Sequence, residues 1–325
     1  MKKALKKLGL ALAASFALPV LFLLGLIIFH RINLRLEYSS INPSGYMVTI
    51  NGHDMHIYLS GDQSGEGPTL VFLPGQIISA PVHHFQPLHQ RLSAYYPIAV
   101  IEPFGFGYAH QTTASRDLVT VIEEMRSALF SLGKEGPFVL IPHSLGGIDA
   151  LGWAQRYPDE IAGIVGINMA HPAMFLNGHV GSGPPAWQRA AMWMGLQRLP
   201  LFYTHFYTYP YDDGVFSQED HRQQRLLMNR NAFNPTFNAR RAYAFDNAQY
   251  IADDSLESAL ERIGGETSVL LLTTATSNIP YFIPYQDTLA QQLGADRRVF
   301  DTGHSIHQYA SEEVTDIIRH FLSGL

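Results

Sequence analysis

The chain has 325 residues, 46% hydrophobic and 15% charged, a composition that builds a globular core and excludes a disordered chain. It has no cysteine, which excludes disulfides, thiolate metal sites and a cysteine nucleophile. Residues 1–36 hold six basic residues and no acidic one, leaving 16 basic against 28 acidic residues over 37–325, a net charge of −12; so acidic a body excludes nucleic acid as a partner, because phosphate neutralisation needs clustered Lys and Arg.

Leu8 to Phe29 run for 22 positions without a charge, and about 20 apolar residues span a bilayer core as a helix. Pro19 is tolerated in such a helix. Lys2, Lys3, Lys6 and Lys7 precede the run and Arg31 and Arg35 follow it. The positive-inside rule then predicts a cytoplasmic N-terminus and an extracytoplasmic body. A cleaved signal peptide would have a shorter apolar core, of about 7–15 residues, and a small-residue cleavage site. The run instead ends in Leu-Ile-Ile-Phe-His-Arg, and we expect an uncleaved membrane anchor over 8–29.

After a linker over 30–45, two strands are expected at Tyr46–Ile50 and Met55–Leu59, joined at Asn51-Gly52, a hairpin signal. Thr69–Leu73 and Pro97–Ile101 are apolar runs of strand length, with a helix expected over 84–95 between them. Asp117–Leu132 places Leu118, Val121, Ile122, Met125 and Leu129 on one helical face. A strand at Phe138–Ile141, a helix at Leu145–Tyr157 and a strand at Ile161–Ile167 follow. Such alternation predicts a parallel sheet covered on both faces, with right-handed crossovers. The rhythm breaks at Pro172. Residues 172–265 hold fifteen aromatics, six of them between Phe202 and Tyr211, with Trp187, Met192, Trp193 and Met194 close by; this segment reads as a helical insertion. The rhythm resumes with strands at Ser268–Thr273 and Arg298–Phe300 and helices at Tyr285–Leu293 and Glu312–Leu322.

Three stretches carry chemistry. In Val139-Leu-Ile-Pro-His-Ser-Leu-Gly-Gly147 a strand runs through a tight turn into a helix, the context of a nucleophile elbow that lifts a serine Oγ above a sheet. Ser144 is the candidate nucleophile. The N–H of Leu145, at the positive end of the helix that follows, is a candidate oxyanion donor. Pro142 stands where the elbow motif has its first glycine. Leu73-Pro-Gly-Gln76 follows an early strand and offers the Gln76 N–H as the second donor. Asp301-Thr-Gly-His304 follows the last strand, and its loop histidine is the candidate base for Ser144. His83, His84, His110, His171, His179 and His205 follow no metal-ligand spacing. No metal and no cofactor are expected.

With serine first, histidine last and these landmarks in order, residues 46–325 resemble the α/β-hydrolase superfamily, in the branch of esterases, lipases, thioesterases and proline iminopeptidase-like peptidases. Glu102-Pro-Phe-Gly-Phe-Gly107 is similar to that branch's Asp-x-x-Gly-x-Gly stretch, with Glu102 in the Asp place. The resemblance implies a core over 46–171 and 266–325, a variable cap over 172–265 and an acyl-enzyme on Ser144. The fold expected is thus a mostly parallel α/β-hydrolase sheet with helices on both faces and a helical cap, preceded by a cytoplasmic tail (1–7) and one transmembrane helix.

The family's third catalytic member is an acid after the seventh strand, or in some members after the sixth. Here Leu272-Thr-Thr-Ala-Thr-Ser-Asn278 and Gly166-Ile-Asn-Met-Ala-His171 hold none. Asn168 is the preferred substitute, followed by Asn278 or Ser277. Asp246 and Asp301 stand behind them. An asparagine can accept a bond from a histidine Nδ1–H, but it does not offset the imidazolium charge; an Asp-to-Asn change in a Ser-His-Asp site costs about 10⁴ in rate. The function expected is that of a membrane-anchored serine hydrolase of a small acyl substrate, with the anchor and an aromatic cap over an apolar pocket pointing to a lipid-like one. An inactive scaffold of the same fold and a proline iminopeptidase-like peptidase are the alternatives.

Overall fold

The computed structural model describes residues 2–64, 67–76, 78–180, 185–200, 214–232, 234–252, 255–279 and 281–325. The aromatic run Phe202–Tyr211 and His205 lie outside the described residues. The chain forms two compact units, residues 1–42 with 184–209, and residues 43–183 with 210–325. The insertion expected as one cap is therefore divided between them.

In the smaller unit the helix α1 spans Lys2–Tyr38, about 55 Å at 1.5 Å per residue. It is long and apolar enough to cross a membrane, with a mean hydropathy of 2.6 in its most apolar window. The helix continues nine residues beyond the expected span, through what reads in sequence as linker. The reason is a stripe at helical spacing, Leu26, His30, Asn33, Leu34 and Glu37, whose members are buried or half-buried.

The larger unit is built on a sheet of eight strands, β1 (Tyr46–Ile50), β2 (His53–Ser60), β3 (Thr69–Leu73), β4 (Ile98–Glu102), β5 (Phe138–Pro142), β6 (Ile161–Ile167), β7 (Ser268–Thr274) and β8 (Asp296–Phe300), in the order β1-β2-β4-β3-β5-β6-β7-β8. β1 and β2 are antiparallel to their neighbours, and β4 through β8 run parallel. The central strands β3 to β6 are apolar at every position but Thr69 and Glu102, because both faces are covered. Along β3, Val71 and Leu73 join one core layer, and Leu70 and Phe72 the other.

The first layer packs α3 (Leu118–Ser131) and α4 (Gly146–Arg156) onto the sheet; the second packs α2 (Pro81–Leu92) and a C-terminal helix over Ser311–Leu322. α2 starts at Pro81, three residues before the expected start. Proline is favoured in a first turn, where its missing N–H is one of the helix's unpaired donors. After the short α5 (Ala173–Leu176), the smaller unit contributes α6 (Ala186–Met194). The larger unit then adds α7 (Gln218–Asn231), α8 (Pro235–Ala242), α9 (Ala244–Ala252) and α10 (Leu256–Glu266) before β7, with α11 (Phe282–Gln292), α12 (Ile306–Tyr309) and α13 (Ser311–Leu322) closing the fold.

Candidate active site

Glu102 closes β4. Its fully buried carboxylate accepts the Val82 and Tyr108 N–H groups at 3.0 and 2.7 Å and meets His56 Nδ1 at 2.9 Å. Burial pushes its pKa up, but His56 and these N–H bonds together hold it below the ordinary range. Gly107 sits at φ 49°, where a Cβ would fall 1.9 Å from the carboxyl carbon. The Glu-for-Asp exchange thus fills the space a Cβ at 107 would need, so only glycine fits there. The loop 103–112 is tied in turn to the helices beyond it. Asn231 Nδ2 donates to the Gly107 carbonyl and Asn234 Nδ2 to that of Gly105, both at 2.7 Å, while Thr236 Oγ1 exchanges two 2.8 Å bonds with the Thr112 backbone.

The elbow forms where β5 meets α4. Ser144 has φ 51°, a left-handed conformation that costs a non-glycine residue free energy and persists only where the surroundings enforce it. Here they do. The His143 N–H donates to Leu73 O at 3.0 Å and the Ser144 N–H to Ile167 O at 3.2 Å, while Ser144 O accepts from Gly147 N and Ala170 N at 3.0 and 2.7 Å. The turn is thereby stitched to the ends of β3 and β6. The 73–76 loop lies against it, since a Cβ at Gly75 would stand 2.8 Å from the Ser144 Cβ and from His143 O. The N–H groups of Gln76 and Leu145 make no backbone hydrogen bond among the described residues.

His304 comes from the loop between β8 and α12. Its ring stands 4.9 Å from the His143 ring and 5.4 Å, edge-on, from Phe282. The His304 loop thus lies against His143, the residue before Ser144, from which it is 161 positions away in sequence. Burial pushes the His304 pKa down to about 4, so the ring is neutral near pH 7, as a general base must be. Its Nδ1 is buried and has no hydrogen-bond partner among the described residues.

Asn168 meets His304 differently from the expectation. Its Nδ2 donates to the His304 carbonyl at 2.7 Å, and its Oδ1 accepts the Thr274 N–H at 2.8 Å. The acceptor that would orient the imidazole is spent on β7, and the bond to His304 goes to its main chain instead of its ring. Asn168 is itself left-handed at φ 42°, with its N–H on Leu272 O at 2.8 Å. Among the other candidates, Ser277 Oγ accepts the Ile279 N–H at 3.1 Å, and Asn278, Asp246 and Asp301 are exposed. None of them bonds the buried Nδ1.

Spacing along the chain gives no hint of what surrounds His143. His84, His143 and His307, all buried, bring one ring nitrogen each to within 4.8 Å of one another, and His143 Nε2 donates to His304 O at 3.3 Å. The three rings lie at centroid distances of 4.6–5.1 Å, His307 edge-on to the other two, with Phe85 against His307. Burial drives His84 and His143 well below the ordinary pKa and His307 to about 3. Three neutral imidazoles are the donor type a zinc-class ion takes.

The model of the Alpha/beta hydrolase family matches residues 70–317. The protein YbdG of Bacillus subtilis (strain 168) is 34% identical over 176 residues, 54% of this chain and 53% of that protein. The pimeloyl-[acyl-carrier protein] methyl ester esterase of Shewanella sp. (strain MR-7) is 36% identical over 106 residues, 33% of this chain and 36% of the esterase. These matches span about half or less of the curated relatives' lengths. A solved membrane phospholipase A, described as a bacterial virulence factor, superposes with a TM-score of 0.60 at 20% identity, over 100% of this chain and 99% of that one. At that identity the likeness is one of fold.

Proposed function

The chain belongs to the alpha/beta hydrolase family, and from that premise we propose that it is a membrane-anchored serine hydrolase that cleaves acyl esters through an acyl-enzyme on Ser144. The observation that carries the reading is the left-handed Ser144 at the β5–α4 turn, a strained conformation that serves to expose an Oγ above the sheet. In the reaction Ser144 Oγ attacks the ester carbonyl and its proton passes to His304. Because Nδ1 is the buried nitrogen, Nε2 is the one that takes the proton. The Gln76 and Leu145 N–H groups stabilise the oxyanion of the tetrahedral intermediate. That intermediate collapses as His304 returns the proton to the leaving alkoxide, and water activated by the same ring then hydrolyses the acyl-enzyme. Asn168 is a positioning residue that holds the His304 loop through its carbonyl.

Residues 8–29 form the anchor, with the N-terminus in the cytoplasm and residues 46–325 outside it. The phospholipase and esterase neighbours support an acyl ester, and the anchor favours a lipid-like one. A series of chromogenic esters of rising acyl length, assayed with the full chain in detergent and in vesicles, tests this. Hydrolysis that rises with chain length and vanishes in Ser144→Ala is the expected result. No turnover of any ester by folded protein would overturn it. The unpartnered His304 Nδ1 favours a second reading, an inactive hydrolase fold used for binding, in which the absent acid is the trace of lost catalysis.

A further inference from the structure

The geometry of the smaller unit points to a second contact with the lipid bilayer, made at the membrane–water interface by the outward face of α6. The inference rests on the membrane anchor proposed above. At 100° per residue, Ala186, Trp187, Ala190 and Trp193 share one arc of about 120° of the α6 surface. All four are exposed, Trp187 at 71% and Trp193 at 57%, whereas Met192 on the opposite side is buried. The helix therefore turns an apolar, aromatic face outward, the reverse of a water-facing helix.

The place of that face along α1 identifies what covers it. Gly195, left-handed at φ 87°, ends α6 against His30, so close that a Cβ there would stand 2.5 Å from the His30 Cβ. The Arg31 guanidinium lies over the Trp193 ring, 4.9 Å from its centroid. Arg198, one turn further on, grips Glu37 with two bonds of 2.6 and 2.5 Å and donates to His30 Nδ1 at 2.8 Å. α6 is thus fixed at the level of residues 30–31, directly after the last apolar residue of the span, Phe29. The interfacial layer is several ångströms deep on each side of the hydrocarbon, and residues 30–31 lie within about 3 Å of its inner edge at the helical rise. Tryptophan concentrates at that depth, with its ring among acyl carbons and its N–H among headgroups. The exposed Arg31, Arg35 and Arg189 supply cations for headgroup phosphates.

The chain's three tryptophans allow a direct test, because Trp153 is fully buried in the core and serves as an internal reference. The full chain is reconstituted in phosphatidylcholine vesicles carrying bromine near the headgroup end of the acyl chains. Its emission is compared with that of the Trp187→Phe/Trp193→Phe variant, two exposed positions whose change leaves the core untouched. Co-flotation with the vesicles is scored separately. Wild type should lose emission to the brominated lipid, while the variant, reporting only Trp153, should keep its own. Protein that floats with the vesicles but shows no quenching in wild type overturns the contact and leaves the anchor standing. Protein that does not float overturns both.

Discussion

His304 is neutral, half-buried, and held by bonds to its main chain, while its buried Nδ1 has no partner among the described residues. A carboxylate on Nδ1 would raise the ring's pKa; burial alone lowers it to about 4. The rate of an acylation reaction should therefore be flat from neutral pH downward and fall only below about pH 5, when the ring gains its proton. Asn168→Ala separates positioning from ring chemistry. It leaves the Thr274 N–H without its partner, at a cost of about 1–3 kcal/mol of stability, leaves the His304 carbonyl with only the 3.3 Å bond from His143 Nε2, and slows the reaction about 10²-fold through misplacement of the base. The acid limb should stay where it is, since no bond to the ring is lost; a limb displaced by a full pH unit would assign Asn168 to the ring after all. The turn at Ser144 and the loops that carry Gln76 and His304 were legible because each is a short motif beside a strand end. The partners of Asn168 were not, because its amide chooses among the ends of β6 and β7 and the loop after β8, over 100 residues away.

Elements hold these residues through buried polar joints. Arg240 on α8 pairs with Asp149 on α4, both side chains about 5% exposed, and so joins a helix of the inserted segment to the helix behind Ser144. Arg240→Met strands a buried carboxylate and should cost about 3–5 kcal/mol in urea unfolding, most of it recovered in Arg240→Met/Asp149→Leu, where both charges are gone. A double variant no more stable than the single one would show that the pair itself supplies the stability. The strands of the sheet were readable as apolar runs because both faces are buried. The insertion was readable only as a break in that rhythm. Its attachment depends on Asn231, Asn234 and Thr236, and single polar residues give no periodic signal. The extension of α1 to Tyr38 was obscured by its charges, since Glu37 reads as solvent-facing until Arg198 is placed against it.

Over the whole molecule, buried neutral histidines set the response to acid. Burial holds His89, His171 and His304 near a pKa of about 4 and His307 near about 3, against about 6.5 in an unfolded chain. Between these values the unfolded state binds more protons than the native one, so stability rises with pH and is lost as pH falls from about 6.5 to about 4. Urea midpoints measured across that range should drop steeply, and a His307→Phe variant should show a shallower slope; equal slopes would place that ring in water. The central claim concerns one atom, the Oγ of Ser144. Labelling the full chain with a fluorophosphonate and mapping the modified peptide tests it most directly. The account predicts label on Ser144, none in Ser144→Ala, and a rate reduced about 10³-fold or more in His304→Ala. A folded wild-type protein that takes no label, or takes it at another residue, would contradict the assignment.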